Sequence, residues 1–282
     1  MKNTLEGAGF AVIDLLTAEQ VNYLAELCNR FLSQPASDFI SSSHFLSKED
    51  SDFINGELHR LVSPVFLDLF PHLQLLGGTL ATKNKGQSNV EAHQDWTIVD
   101  EARYRSYNLW IPLVNTNPDN GTLGLIPGSH LWLKNIRGQD IPNPFSKFTQ
   151  KFLSIGYEPE LKAGQAILYD HRLIHYSRPN LTSKPRNTAI IGVKEAAADL
   201  AVSFTTDRRT IQTYAVDESV FYRFDIEKVK VHGQKIRQEN LVEFKPEWKE
   251  LKNLFERSTF AFNNEHAAVK PARSFFKRIF FS

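Results

Sequence analysis

Between residues 73 and 206 the chain breaks into short apolar segments: LQLLGGTLAT, VEAHQDWTIV, RSYNLWIPLV, TLGLIP, QAILYD, LIHYS, NTAIIGV and DLAVSFTT. Turn clusters such as NTNPDNG, PGS and RPNLTSKP separate them. Segments this short and this rich in β-branched and aromatic residues are strands, and turns this frequent join them antiparallel. The pattern predicts a mainly β (α+β) fold, a sandwich or barrel with helices packed outside. We place the strand core at about residues 73–215, N-terminal helices at 17–70 and a C-terminal extension at 216–282, all in one domain spanning 1–282.

The N-terminal region carries the helical period. In TAEQVNYLAELCNRFLS, residues 17 to 33, Thr17 can cap and Gln20 sits at the capping-box position, with Val21, Leu24, Leu27 or Cys28, and Phe31 on one face. A second helix is predicted over 55–69, interrupted or kinked at Pro64. A third is predicted over 246–257, with Pro246 in its first turn. The stretch from Leu131 to Glu160 is long, mixed in charge and proline-containing, which suggests a lid. The basic, aromatic tail KPARSFFKRIFFS is expected to dock on the core.

Charge narrows the partners. Thirty-three Lys and Arg residues against 32 Asp and Glu give a net charge of +1, so no bulk field draws nucleic acid. A small-molecule substrate is expected instead. Cys28 is the only cysteine, which excludes an intrachain disulfide framework and a cysteine-rich zinc site and fits a reducing compartment. There is no signal-like start and no transmembrane segment of about 18 apolar residues, so the expectation is a soluble, cytoplasmic protein. Nothing in the sequence specifies an oligomer.

The chemistry starts at VEAHQDWTIV. In a strand, residues two apart share a face, so His93 and Asp95 point together into the interior. A second histidine would complete a two-histidine, one-carboxylate set that holds Fe(II) on one face and leaves the opposite positions open. LYDHRLIHYSRPNLTSKPRNTAIIGV offers both His171 and His175. If RPNLTSKP turns the chain back, LIHYS pairs with RNTAIIGV and Ser177 opposes Arg186. A hydroxyl beside a guanidinium fork suits a carboxylate.

HQD, then NGTLGLIPGSH, then a histidine followed by Ser177 at two residues and Arg186 at eleven, resembles the phytanoyl-CoA dioxygenase family of Fe(II)/2-oxoglutarate oxygenases. The resemblance covers roughly residues 73 to 195. It implies a double-stranded β-helix, or jelly roll, of the cupin kind. It implies iron ligands at His93, Asp95 and His175, with Arg186 and Ser177 on the distal carboxylate of 2-oxoglutarate and Trp110 lining that pocket. It implies O2 as cosubstrate and hydroxylation, or a related oxidation, of an unactivated C–H bond, releasing succinate and CO2. Halogenating relatives replace the carboxylate ligand by a small residue, and Asp95 argues against that branch. Strand parity puts His171 and His175 on one face; the Ser177 and Arg186 offsets favour His175. His130 of IPGSH reads as structural. Tyr104, Arg105 and Asn108, which flank or enter the cavity strand, are candidates for substrate contact. The other class of function is a non-catalytic cupin-like metal- or ligand-binding protein, which would have no reason to bury an arginine at position 186.

Overall fold

The computed structural model describes residues 2–32, 40–86, 89–223, 229–230 and 232–265; the tail at 270–282 lies outside them. Strands β1 (Phe10–Asp14), β2 (Ile40–Ser41), β3 (Leu73–Lys83), β4 (Val90–His93), β5 (Ser106–Pro112), β6 (Leu123–Leu125), β7 (Gln165–Asp170), β8 (His175–Ser177) and β9 (Arg186–Glu195) divide between two antiparallel sheets. The larger runs β1-β7-β5-β9-β3-β2 and the smaller β4-β8-β6. This is the expected jelly roll. A third sheet, β10 (Ala201–Phe204), β11 (Thr210–Ala215) and β12 (Gln234–Asn240), follows in sequence order.

Side-chain alternation sets the layers. On the large sheet Leu109, Ile111, Ala166, Leu168, Ala189, Ile191 and Val193 pack against helices α2 (Ala18–Phe31) and α4 (Lys48–Leu69) through Leu24, Leu27, Leu58, Val62 and Phe66. Their neighbours Trp110, Ile167, Tyr169 and Ile190 turn the other way and meet Leu123 and Leu125 of β6. The space between the sheets is therefore lined by one parity of each strand. On the small sheet Ala92 and Tyr176 face outward, onto Phe145, Phe148, Phe152 and Leu251. His93, His175 and Ser177 take the inward parity.

Several expectations are corrected. The core sheet begins earlier than residue 73, because β1 forms its edge against β7. The helix predicted over 55–69 starts at Lys48, capped by Ser47, and runs through Pro64 without interruption. Pro64 lies on the exposed side, where water can take the carbonyl that its ring leaves unpaired. The C-terminal helix, α7, spans Trp248–Glu265, and Pro246 precedes it instead of forming its first turn. Thr17 does form the expected capping box with Gln20.

The presumed lid is in good part scaffold. Residues 149–155 form a helix, α5 (Thr149–Ile155), whose Phe152 and Leu153 are buried together with Phe145 and Phe148 just before it. Its polar groups hold β4: Thr149 Oγ1 accepts from the Ala92 amide at 3.0 Å, and the Asn143 amide donates to the Ala92 carbonyl at 2.9 Å. An edge strand left unpaired on one side is thereby satisfied next to the residue that ends it, His93.

Candidate metal centre

His93, the last residue of β4, pairs in register with His175, the first of β8, and their rings lie 4.1 Å apart. Both rings are fixed by the same device. His93 Nδ1 is 2.7 Å from the carbonyl of Glu91, and His175 Nδ1 is 2.9 Å from the carbonyl of Leu173. A carbonyl can only accept, so each Nδ1 carries the proton and each Nε2 presents a lone pair. Those two Nε2 atoms lie 4.0 and 3.7 Å from the oxygens of Asp95. One donor atom from each residue falls within 4.8 Å of the others, a set able to hold a single divalent ion.

Asp95 reaches this point by a route that strand parity did not anticipate. The strand ends at His93, and residues 94–98 are irregular. The turn is closed by backbone bonds: the Asp95 amide donates to the His171 carbonyl at 2.8 Å, and its carbonyl accepts from Arg137 Nε at 2.7 Å. The carboxylate accepts from the Asn108 amide at 2.9 Å. Arg137 in turn forms a buried ion pair with Glu101, donating from both terminal nitrogens. A ligand held on its backbone and its carboxylate loses little freedom on binding a metal.

Burial pushes the Asp95 carboxyl up, but His175, His171 and His93 and the Asn108 bond outweigh it and hold the group down at about 2. Burial and the neighbouring His93 lower His175 to about 4, so its imidazole is neutral well below pH 6. Tyr169, whose ring packs 4.8 Å from that of His175, is raised well above 10 by burial and by Asp95, and stays protonated. At neutral pH the carboxylate is ionised and the His175 imidazole neutral, the states a metal requires.

Ser177 and Arg186 are not cross-strand partners. Ser177 pairs with Val90 and Leu123 in the small sheet, whereas Arg186 opens β9 in the large sheet, opposite Lys83. The loop between them crosses from one sheet to the other, which corrects the expected hairpin. The guanidinium nevertheless shares a wall with Trp110: it lies 5.4 Å over that ring, and Nη1 is 3.4 Å from Thr188 Oγ1. Arg186 is 3% exposed, its Nε has no hydrogen-bond partner among the described residues, and burial alone pushes the group down to about 10. Trp110, buried in the cluster between the sheets, forms the wall beneath it.

The remaining candidates fall in different places. Asn108 sits on the inner face of β5 and is bonded to Asp95. Tyr104 packs at the edge of the cluster containing Leu76 and Ile98, and the Arg105 guanidinium donates to the carbonyls of Glu101 and Tyr104. His171 is in the turn after β7, with Nδ1 3.0 Å from Ser106 Oγ, and is absent from the donor set. His130 Nε2 bonds the Glu6 carbonyl at 3.0 Å, a structural contact. Arg137 and Lys83 escaped the sequence reading. Arg137 lay in a segment with no period, while Lys83, a lysine ending an apolar strand, gave a usable signal.

Residues 5–188 match the family model described as phytanoyl-CoA dioxygenase (PhyH). A phytanoyl-CoA dioxygenase of Arabidopsis thaliana is 38% identical over 114 residues, covering 38% of this chain and 39% of that protein. The chain thus spans about two fifths of the length of that relative. An ectoine dioxygenase of Sphingopyxis alaskensis is 25% identical over 220 residues, covering 65% of this chain and 71% of the relative. Among solved structures, the non-heme alpha ketoglutarate dependent carbocyclase SnoK from nogalamycin biosynthesis superposes with a TM-score of 0.54 at 16% identity, over 70% of this chain and 84% of its own. The epimerase SnoN, solved with Fe3+, alpha ketoglutarate and nogalamycin RO, gives 0.54 at 19% identity over 70% and 83%. At such identities the likeness concerns the fold.

Proposed function

The chain belongs to the phytanoyl-CoA dioxygenase family, and we propose that it is an Fe(II)- and 2-oxoglutarate-dependent oxygenase that oxidises a C–H bond of a small molecule and releases succinate and CO2. The observation that carries this is the pairing of two features: a His93–Asp95–His175 donor set and, on the facing sheet, a buried arginine with no anionic partner among the described residues. A buried cation is costly unless it is paired, and a dicarboxylate chelated at one end and neutralised at the other resolves that cost. A binding module without 2-oxoglutarate has no use for it.

The residues fit the group. His93 and His175 would supply nitrogen through Nε2 and Asp95 oxygen, a two-histidine, one-carboxylate set of the kind that would hold Fe(II). Bound iron would supply the activation of O2 coupled to oxidative decarboxylation of the 2-oxo acid. The chain's own contribution is positional. Asn108 and Arg137 hold Asp95, the Glu91 and Leu173 carbonyls orient the imidazoles, and Arg186 over Trp110 fixes the distal carboxylate. Ser177 supports that end through Lys83. Trp110, Ile167 and Leu125 give the space between the sheets an apolar wall, while His93 and Asp95 remain partly open to solvent.

The test is anaerobic reconstitution with Fe(II) followed by 2-oxoglutarate. A weak visible charge-transfer band is expected, and admission of O2 should convert 2-oxoglutarate to succinate. A protein that takes up one metal ion yet shows neither band nor succinate would be the cupin-like binder.

A further inference from the structure

Lys83 is a fully buried lysine, 0% exposed, at the end of β3 and in register with Arg186 on β9. Among the described residues no acidic group offsets either cation: burial and the charge of Arg186 lower Lys83 to about 7, and burial alone lowers Arg186. Two adjacent interior cations without an anion are an unfavourable arrangement for a folded protein. Lys83 reaches across from the large sheet to the small one. Its Nζ donates to Ser177 Oγ at 2.9 Å and to the Arg178 carbonyl, with a long third contact of 3.4 Å to the Ser177 carbonyl. An ammonium has three protons, and only two are well used.

Ser177 is occupied in the complementary way. Its hydroxyl donates to the Gly121 carbonyl at 2.9 Å while accepting from Lys83, so its proton is spent within the protein. The groups near Arg186 with a proton to spare for an anion are Arg186 itself, through its unpartnered Nε, and Lys83. We propose that Lys83 is the second cation of the cosubstrate subsite: with Arg186 it clamps the distal carboxylate of a 2-oxo dicarboxylic acid between the two sheets, and it sets the preference for a dicarboxylic over a monocarboxylic 2-oxo acid. Ser177 is then the residue that positions Lys83. This inference rests on the oxygenase reading and names a determinant that the reading itself does not require.

The experiment measures, under anaerobic conditions with saturating Mn(II) in place of iron, the binding of 2-oxoglutarate and of 2-oxovalerate, which has the same 2-oxo acid end and no distal carboxylate. Wild type, Lys83→Met and Arg186→Met are compared, with Mn(II) binding as the check that the site has folded. Lys83→Met should weaken 2-oxoglutarate by about tenfold or more, as loss of a charged hydrogen bond does, and leave 2-oxovalerate and Mn(II) within about twofold. Equal weakening of both acids, or no weakening, overturns the proposal and leaves Lys83 a tie between sheets. If wild type binds Mn(II) and no 2-oxoglutarate, the oxygenase reading fails with it; if Arg186→Met alone loses 2-oxoglutarate, only the role of Lys83 fails.

A second arm needs no variant. Among the described residues the charged group facing Lys83 is Arg186 of β9; the other groups it meets are the Ser177 hydroxyl and carbonyl of β8 and the Arg178 carbonyl just after it. Arg186 stays charged throughout the range used. Calorimetry of wild type at pH 8 in buffers of different ionisation enthalpy should therefore show proton uptake with 2-oxoglutarate in excess of that with 2-oxovalerate, since the anion re-protonates Lys83. The comparison cancels the contribution of the histidines at the shared end. No difference in uptake counts against a clamp by Lys83.

Discussion

Arg186→Met is expected to stabilise the protein without ligand while abolishing tight binding of 2-oxoglutarate. The magnitude follows from the environment of the guanidinium. Burial lowers it to about 10, well below the ordinary arginine value, and each unit is worth about 1.4 kcal/mol, so the charged form carries a folding penalty of about 3 kcal/mol. Contact with the Trp110 face at 5.4 Å returns about 1 kcal/mol, and the 3.4 Å contact to Thr188 is at the limit of a hydrogen bond. Methionine keeps most of the aliphatic stem and removes the charge. The net expectation is a gain of about 1–2 kcal/mol in urea unfolding of the metal-free protein. With metal and 2-oxoglutarate present the order should reverse, because wild type gains about 4 kcal/mol at a thousandfold excess over Kd and the variant gains little. A metal-free Arg186→Met less stable than wild type would refute the reasoning, since it would mean that the arginine is paid for by contacts already present in the fold.

His175→Ala should abolish stoichiometric iron uptake while His171→Ala keeps most of it, measured by metal content after reconstitution with circular dichroism as the control; the reverse result would move the site. Arg137→Met breaks a largely buried ion pair and leaves the Glu101 side chain without this partner beneath the Asp95 loop, for a cost on the order of 3–5 kcal/mol, and Glu101→Gln on top should restore part of it; equal losses in single and double variants would show that the pair is not coupled. Lowering the pH from 7 to 5 should destabilise the metal-free protein. The His175 pKa is depressed in the folded state, so the unfolded chain takes up more protons below about 6.5, and a stability flat over that range would contradict its burial. Cys28, 2% exposed and pushed up to about 12 by burial, should resist thiol reagents at pH 8 until the chain unfolds, and rapid labelling of the native protein would count against the packing of α2.

Local periodicity marked most strands of the two core sheets and the helix after Thr17, though it missed β1 and the short helix at 149–155. The capped helix at Thr17, the alternation that puts Trp110 and Leu109 on opposite faces, and the mainly β class all follow from neighbours within a few residues, and such local patterns survive translation into structure. The motif spacing also singled out His93, Asp95, His175 and Arg186. What spacing did not contain was the partner of each strand. Ser177 and Arg186 look like two sides of one hairpin in sequence, yet the chain carries them to opposite sheets, because β8 closes on β4 and β6 while β9 inserts between β5 and β3. Strand parity is a local property, whereas pairing is decided by which closure buries both apolar faces of the large sheet at once. The same global closure brings Arg137 beneath Asp95, although 42 residues separate them, and sets Lys83 beside Arg186. The candidate donor set could be read from the chain; the groups that hold it in place are assembled only when the two sheets meet.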